Sequence, residues 1–301
     1  MVSRQLVKQA VTRTSSGLNL GVVSALWAWY DTAMSINDET RSTPEPRELA
    51  IRAALAAGKF LLDRFHEPHR VTRKGKVDLV TEADTGSERL IAGMIAQEFP
   101  HHQILGEESG TAGGDAEHLW VIDPLDGTSN YAHGYPVFSV SIAYRHKGQT
   151  VVGVVFNPLR DELFVAERGK GAYLGDQRLS ISHTGELVSC LVATGFPYDR
   201  PRKLPKTIRV IQGLAERVLT LRANGSAAVD LCYVAAGRTD AFWENDLSPW
   251  DTAAGSLMVE EAGGRVSDGQ GDPYDIFSRE ILATNGLVHE AMLQVIAAAQ
   301  D

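Results

Sequence analysis

The chain has 301 residues, 44% of them hydrophobic and 22% charged, an ordinary globular composition with length for one large domain or two smaller ones. A net charge of -9 with no long Lys/Arg run argues against a nucleic-acid partner and favours small, metal-bridged substrates. Cys190 and Cys232 have neither metal-motif nor disulfide-framework spacing and stand in apolar surroundings, as expected of buried thiols in a reducing cytoplasm.

In chain order, GLNLGVVSALWAWY follows Arg4, Lys8 and Arg13 and superficially imitates a leader, but it is too short to span a bilayer and no small-x-small cleavage site follows. Residues 1–45 are therefore read as an N-terminal extension, helical or flexible, with no membrane span, and residues 46–301 as one catalytic domain. After the polar linker NDETRSTPEPRE, Ile51, Leu55, Leu62 and Phe65 recur at helical spacing, as do Leu90, Ile91, Met94 and Ile95 in a second helix that Pro100 ends. The runs ILGEES, LWVID, VFSVSIAYR, TVVGVVFNP, ELFVAER and GAYLG, with a turn at His146 to Gln149, predict an antiparallel meander. From Leu187 strands alternate with helices: CLVATGF, a helix near Pro205 to Val218, TLRAN, SAAVDLCYVAAG, AFWEN, PWDTAAGSLMVEEAGG, ILATN and a last helix. The whole is an α/β unit without internal repeats.

The stretch WVIDPLDGTSN carries the chemistry. Trp120, Val121 and Ile122 read as a buried strand that should stop at Asp123, since Pro124 cannot donate to a ladder. Two carboxylates about 4 Å apart would repel by roughly 4 kcal/mol at an effective dielectric near 20, so Asp123 and Asp126 call for a shared cation or proton. Further acids stand at Asp78, at Glu107 and Glu108, and at Asp251, each at the end of an apolar segment, and no His/Cys set competes with them. Oxygen donors of this kind suit Mg²⁺, which keeps open positions for a substrate phosphate. Gly127 and Thr128 add close backbone approach, a hydroxyl and N–H groups for an oxyanion. Thr81 with Asp84 fits a helix capping box, which assigns Asp84 a structural role. No P-loop surrounds the GKG at 169–171 and no G-x-S-x-G elbow is present. Aspartyl-phosphate chemistry at Asp123 is conceivable from DPLD alone, but the separate Glu107 and Asp251 blocks favour water.

The blocks VDLVTEAD, GEES, WVIDPLDGTSNYAHGYPVFSVSIA, GSAAVDLCYVAAGRTDAFWE and PWDTAAG together resemble the inositol monophosphatase family of Mg²⁺-dependent, often lithium-sensitive phosphatases, over roughly residues 47–298. The resemblance implies a layered α-β-α-β-α sandwich, a homodimer, and hydrolysis of a phosphorylated polyol, inositol 1-phosphate first. It implies that Glu107, Asp123 and the Leu125 carbonyl hold one Mg²⁺, that Asp123, Asp126 and Asp251 hold a second, and that a weaker third leans on Glu107. Asp78 and Thr128 match the pair that orients and deprotonates a metal-activated water, and Gly127 and Thr128 offer amides to phosphate. Gly225, Ser226, Ala227 and Glu244, with Asp126 and Asp251, match the substrate contacts. Metal motifs do not separate inositol phosphates from histidinol phosphate, fructose 1,6-bisphosphate or nucleotide 3′-phosphates. A regulatory protein of the same fold that touches RNA machinery is the reading from another class.

Overall fold

A computed structural model describes residues 45–66, 71–73 and 79–299; the GLNLGVVSALWAWY segment and Asp78 lie outside the described residues. Pro46, whose fixed φ suits a first helical position, opens α1 (Pro46–Leu62). β1 (Val71–Arg73) and β2 (Leu79–Thr81) pair antiparallel and lead into α2 (Glu82–Glu98). Arg52 joins the two helices, its Nη2 donating to both oxygens of Glu98 at 2.7 and 2.8 Å.

The chain continues through β3 (His102–Gly106), β4 (Gly110–Gly113), β5 (Asp115–Asp126), the single-turn α3 (Thr128–Ala132), β6 (Ser139–His146), β7 (Gln149–Asn157), β8 (Glu162–Glu167), β9 (Gly171–Leu174) and β10 (Gln177–Arg178). These strands form one eight-stranded sheet in the order β10-β9-β8-β7-β6-β5-β3-β4. The meander expected from the sequence holds from β5 to β9, where every neighbouring pair is antiparallel, and β10 extends it by one more antiparallel strand. Lys147 and Gly148, at φ 51 and 78, make the tight turn between paired His146 and Gln149. The departure is β3. It hairpins outward with β4, and the returning chain lays β5 parallel to its other side.

The second half comprises β11 (Leu191–Thr194), α4 (Arg200–Ala215), β12 (Thr220–Arg222), α5 (Ala227–Ala235), β13 (Ala241–Asn245), α6 (Pro249–Glu261), β14 (Arg265–Ser267), β15 (Glu280–Thr284) and α7 (His289–Ala298). Its five-stranded sheet has the order β12-β11-β13-β15-β14, parallel among the first three strands and antiparallel beyond. Helix α4 begins at Arg200, five residues before the expected Pro205. The short strands β4, β10 and β14 carry no apolar run that would announce them.

Alternation along the strands builds three cores. Trp120, Ile122, Ile142 and Val154 face α1 and α2. Val121, Ala143 and Phe164 point the other way, onto Leu231 and Cys232 of α5 and Leu257 and Met258 of α6, which also meet Phe242 and Ala283 of the smaller sheet. Val192, Trp243 and Leu282 on that sheet's far face pack against Val210 and Leu214 of α4 and Met292 and Ile296 of α7. The result is the expected α-β-α-β-α sandwich. Both cysteines are free and buried within it, as anticipated.

The middle layer sits close to the larger sheet because Gly153 of β7 carries no side chain: a Cβ there would stand 2.8 Å from the Ala254 carbonyl oxygen of α6. Gly153→Val should accordingly lower stability by about 1 to 3 kcal/mol in urea unfolding. An unchanged midpoint would mean that α6 is not seated on β7 as described.

Candidate active site

The site is built where β5 ends. Pro124 does not terminate the strand, as the sequence had suggested; β5 runs on to Asp126 through a register irregularity in which Asp123 pairs with Ser141 and Asp126 with Ser139. The extra residue on β5 is a bulge, a setting in which a proline without an N–H is tolerated. Gly127 then adopts φ 97, where a Cβ would press on the carbonyls of Gly225 and Val137 at 3.0 and 3.1 Å, so only glycine joins the strand to α3 here.

Each acid is fixed by a different element. Asp123, 1% exposed, accepts the Leu125 N–H on Oδ1 at 3.1 Å. Asp126 faces the start of α5: its Oδ2 accepts from Ser226 Oγ at 2.5 Å and Ala228 N–H at 2.9 Å, and its Oδ1 from Ala227 N–H at 3.3 Å. Asp251 lies in the first turn of α6, where its Oδ2 accepts the Ser248 N–H at 2.6 Å. Glu107 follows β3, its N–H bonded to the Ile122 carbonyl at 3.2 Å. Glu107, Asp123, Leu125, Asp126, Gly127, Thr128 and Asp251 all line one cavity of about 280 Å³. Gly225, Ser226, Ala227 and Glu244 line an adjoining cavity of about 300 Å³ that shares Asp126, Gly127 and Asp251 with the first.

The electrostatics follow from this crowding. Burial, then Glu107, Asp126 and Asp251, push the Asp123 carboxyl well above the usual range. Burial also raises Asp126, against the donors from Ser226, Ala228, Ala227 and Ser139. Asp251 is raised to about 7 by burial, opposed by the Ser248 N–H and reinforced by Asp126. Glu244 is raised well above its ordinary value by burial, then by Asp251, Asp230 and Asp126.

Helix α2 underlies the whole arrangement. Asp84, Ser87 and Glu88, at i, i+3 and i+4, share one buried face. Asp84 Oδ1 accepts the Thr128 hydroxyl at 2.8 Å, and Ser87 Oγ donates to the Pro124 carbonyl at 2.8 Å. The Glu88 carboxylate accepts the Glu108 and Ser109 N–H groups at 2.8 and 2.9 Å, fixing the turn that carries Glu107. On the opposite wall, Asn130 Nδ2 donates to the carbonyls of Val137 and Asn224, both at 2.8 Å, and so ties α3 to the Gly225 segment.

The inositol monophosphatase family model matches residues 44–301. The chain belongs to the inositol monophosphatase family. A protein of Synechocystis named inositol-1-monophosphatase is 44% identical over 253 residues, covering 83% of this chain and 88% of that protein. The Nus factor SuhB of Escherichia coli K12 is 45% identical over 248 residues, covering 81% and 93%. Among solved structures, the extragenic suppressor protein SuhB of Bartonella henselae superposes with a TM-score of 0.80 at 40% identity, covering 83% of this chain and 97% of that one.

Within this family member the described carboxylate partner of Thr128 is Asp84, whereas the expected Asp78 lies outside the described residues. The capping-box reading of Asp84 missed that its carboxylate is fully buried and reaches across to α3. A signal was present. Asp84, Ser87 and Glu88 continue the helical stripe of Ile91 and Ile95, so three polar side chains had to be buried with partners.

The acids fit a hard divalent cation by chemistry. They are oxygen donors without competing nitrogen or sulfur, and Arg279, the one cation lining their cavity among the described residues, is committed to Asp246 at 2.7 Å. No three such side chains among the described residues converge in metal-holding geometry as they stand, and Asp126 and Asp251 are turned toward N–H donors.

Two predictions follow from this geometry. If Asp84 and Thr128 act as one unit, the double variant Asp84→Asn/Thr128→Ala should lose little more phosphatase kcat than either single variant; strictly additive losses would separate their roles. Asp251, titrating near 7 when folded against an ordinary 3.8, binds its proton in the folded state over a range where the unfolded chain has released it. Stability in EDTA should thus fall as pH rises from about 4 to about 7, and Mg²⁺ should raise the melting temperature more at pH 8 than at pH 5. A Mg²⁺ effect equal at both pH values would contradict this.

Proposed function

We propose that this chain is a Mg²⁺-dependent phosphate monoester hydrolase that cleaves inositol 1-phosphate, or a closely similar phosphorylated polyol, by direct attack of water. The observation that carries the reading is the buried Thr128–Asp84 hydrogen bond beside a cavity lined by Glu107, Asp123, Asp126 and Asp251. Glu107, Asp123 and the Leu125 carbonyl would hold one ion, and Asp123, Asp126 and Asp251 a second. When bound, such ions supply Lewis-acid polarisation of phosphoryl oxygens and lower the pKa of water.

The chain's own residues do the rest. Thr128 Oγ1 donates its proton toward Asp84 Oδ1, which leaves its lone pairs to accept a proton from the attacking water. Asp84 is therefore the terminal acceptor, the role the sequence had given to Asp78. The Gly127 and Thr128 backbone amides, presented by the left-handed turn, receive phosphate oxygens. Glu244, across the adjoining cavity with Gly225, Ser226 and Ala227, accepts hydrogen bonds from ring hydroxyls. A cytoplasmic homodimer completes the proposal, and among the described residues no helix is long and apolar enough to cross a membrane.

A second reading comes from relatives named Nus factor SuhB, which suggest an association with RNA machinery. The acidic balance and the complete acid set favour phosphatase chemistry, and an RNA electrophoretic assay beside a phosphatase assay separates the two.

The substrate assignment rests on Glu244. A hydrogen bond from a substrate hydroxyl to a carboxylate contributes roughly 1.5 to 3 kcal/mol. Glu244→Gln should lower kcat/KM for inositol 1-phosphate by about one to two powers of ten, while a small aryl phosphate, which offers no ring hydroxyl, changes less than about threefold. Equal losses on both would place Glu244 in the metal site or the fold instead.

A further inference from the structure

The segment from Gly195 to Arg200, which joins β11 to α4, supplies none of the clustered acids, although Tyr198 also lines their cavity, and Gly195, Phe196, Pro197, Tyr198 and Arg200 all line the cavity that holds Glu244. Arg200 is exposed, and it is the one cation lining that cavity among the described residues. Among the described residues it forms no ion pair: the neighbouring carboxylate, Asp199, is oriented toward Arg202 at 3.9 Å. The first turn of α4 holds no acidic residue and begins with Arg200, Arg202 and Lys203, so positive side chains stand at the positive end of the helix dipole with the N-cap carboxylate already turned to Arg202.

The loop is nevertheless held in place. Asp199 N–H donates to Asp246 Oδ2 at 3.0 Å, and Asp246 is itself gripped by Arg279, whose Nη2 donates to its Oδ1 at 2.7 Å and its carbonyl at 3.1 Å. Asp246 occupies φ 72, a left-handed conformation that costs a residue with a side chain. A strained residue is thus retained where its carboxylate ties the Arg200 loop to the segment leading to Asp251.

We propose that the Gly195–Arg200 loop forms a second anion subsite of the substrate cavity, in which Arg200 receives a phosphate carried on the ring in addition to the one cleaved. This rests on the phosphatase reading and narrows it toward polyol bisphosphates. The guanidinium suits the role because its planar fork pairs two phosphate oxygens at once. The cavity's other charged side chains, Asp126, Glu244 and Asp251, would repel a second anion, so selectivity for it depends on Arg200.

The test compares the Mg²⁺-loaded full chain with Arg200→Gln and Arg200→Lys on inositol 1-phosphate and inositol 1,4-bisphosphate. The ratio of kcat/KM for bisphosphate over monophosphate should fall at least tenfold in Arg200→Gln, chiefly through KM for the bisphosphate, and Arg200→Lys should recover part of it. A ratio unchanged within twofold overturns the subsite. If the wild-type chain releases phosphate from neither compound, the phosphatase reading fails separately. Calorimetric titration of inositol 1,4-bisphosphate with Ca²⁺ present then decides the subsite: a tenfold weaker Kd in Arg200→Gln supports it, and an equal Kd overturns it.

Discussion

Everything at this site depends on burying carboxylates side by side. Asp123 and Asp126 are 1% and 7% exposed, and with Glu107 and Asp251 they line a cavity whose one described cation is already paired. Two such charges about 4 Å apart repel by roughly 4 kcal/mol at an effective dielectric near 20, and desolvation adds to that. The fold answers with N–H groups from the first turn of α5 and from Ser248 just before α6, which offset part of the penalty without removing it, in line with the raised pKa values of Asp126 and Asp251. What is left over is a site that gains stability from protons or divalent cations. The same excess is what the proposed divalent cations would relieve.

The larger sheet and the two helices on its outer face had been legible because their signals are local. Period-2 alternation gave β5 to β9, and helical spacing gave α1 and α2. The acid set was legible for the same reason: DPLDGT, GEES and PWDTAAG each place an acid at the end of an apolar segment. What the sequence hid is non-local. Nothing in ILGEES shows that β3 runs parallel to β5, since that follows from where the returning chain is laid. Asp84 was hidden by a competing local explanation. A Thr–x–x–Asp spacing satisfies a cap on paper, whereas the folded chain turns that carboxylate inward to a hydroxyl 44 residues away.

Helix α2 shows why such polar burial is tolerated. Asp84, Ser87 and Glu88 reach three separate segments, Thr128, Pro124 and the Glu108–Ser109 turn, so each of these buried polar side chains has a hydrogen-bond partner. Gly106 belongs to the same design, because a Cβ there would lie 2.6 Å from the Glu88 carboxylate. One helix face therefore sets the relative placement of Thr128, the bulge that carries Asp123 and Asp126, and the turn that carries Glu107. Precise placement matters more than affinity in phosphoryl transfer, where positioning and charge stabilisation carry nearly all the catalysis.

The adjoining cavity follows a different logic. Gly127, Gly195 and Gly225 stand among side chains in its lining, and a Cβ on Gly195 would press on the Glu244 carboxylate. In the proposed phosphatase reading, discrimination among substrates falls to Glu244 within and to the loop residues Phe196, Tyr198 and Arg200 at its edge. That division explains why the motifs that announce the chemistry say so little about the substrate. The acids stand in short local motifs, whereas the β11–α4 residues that line the cavity belong to no motif and reach it only through the fold.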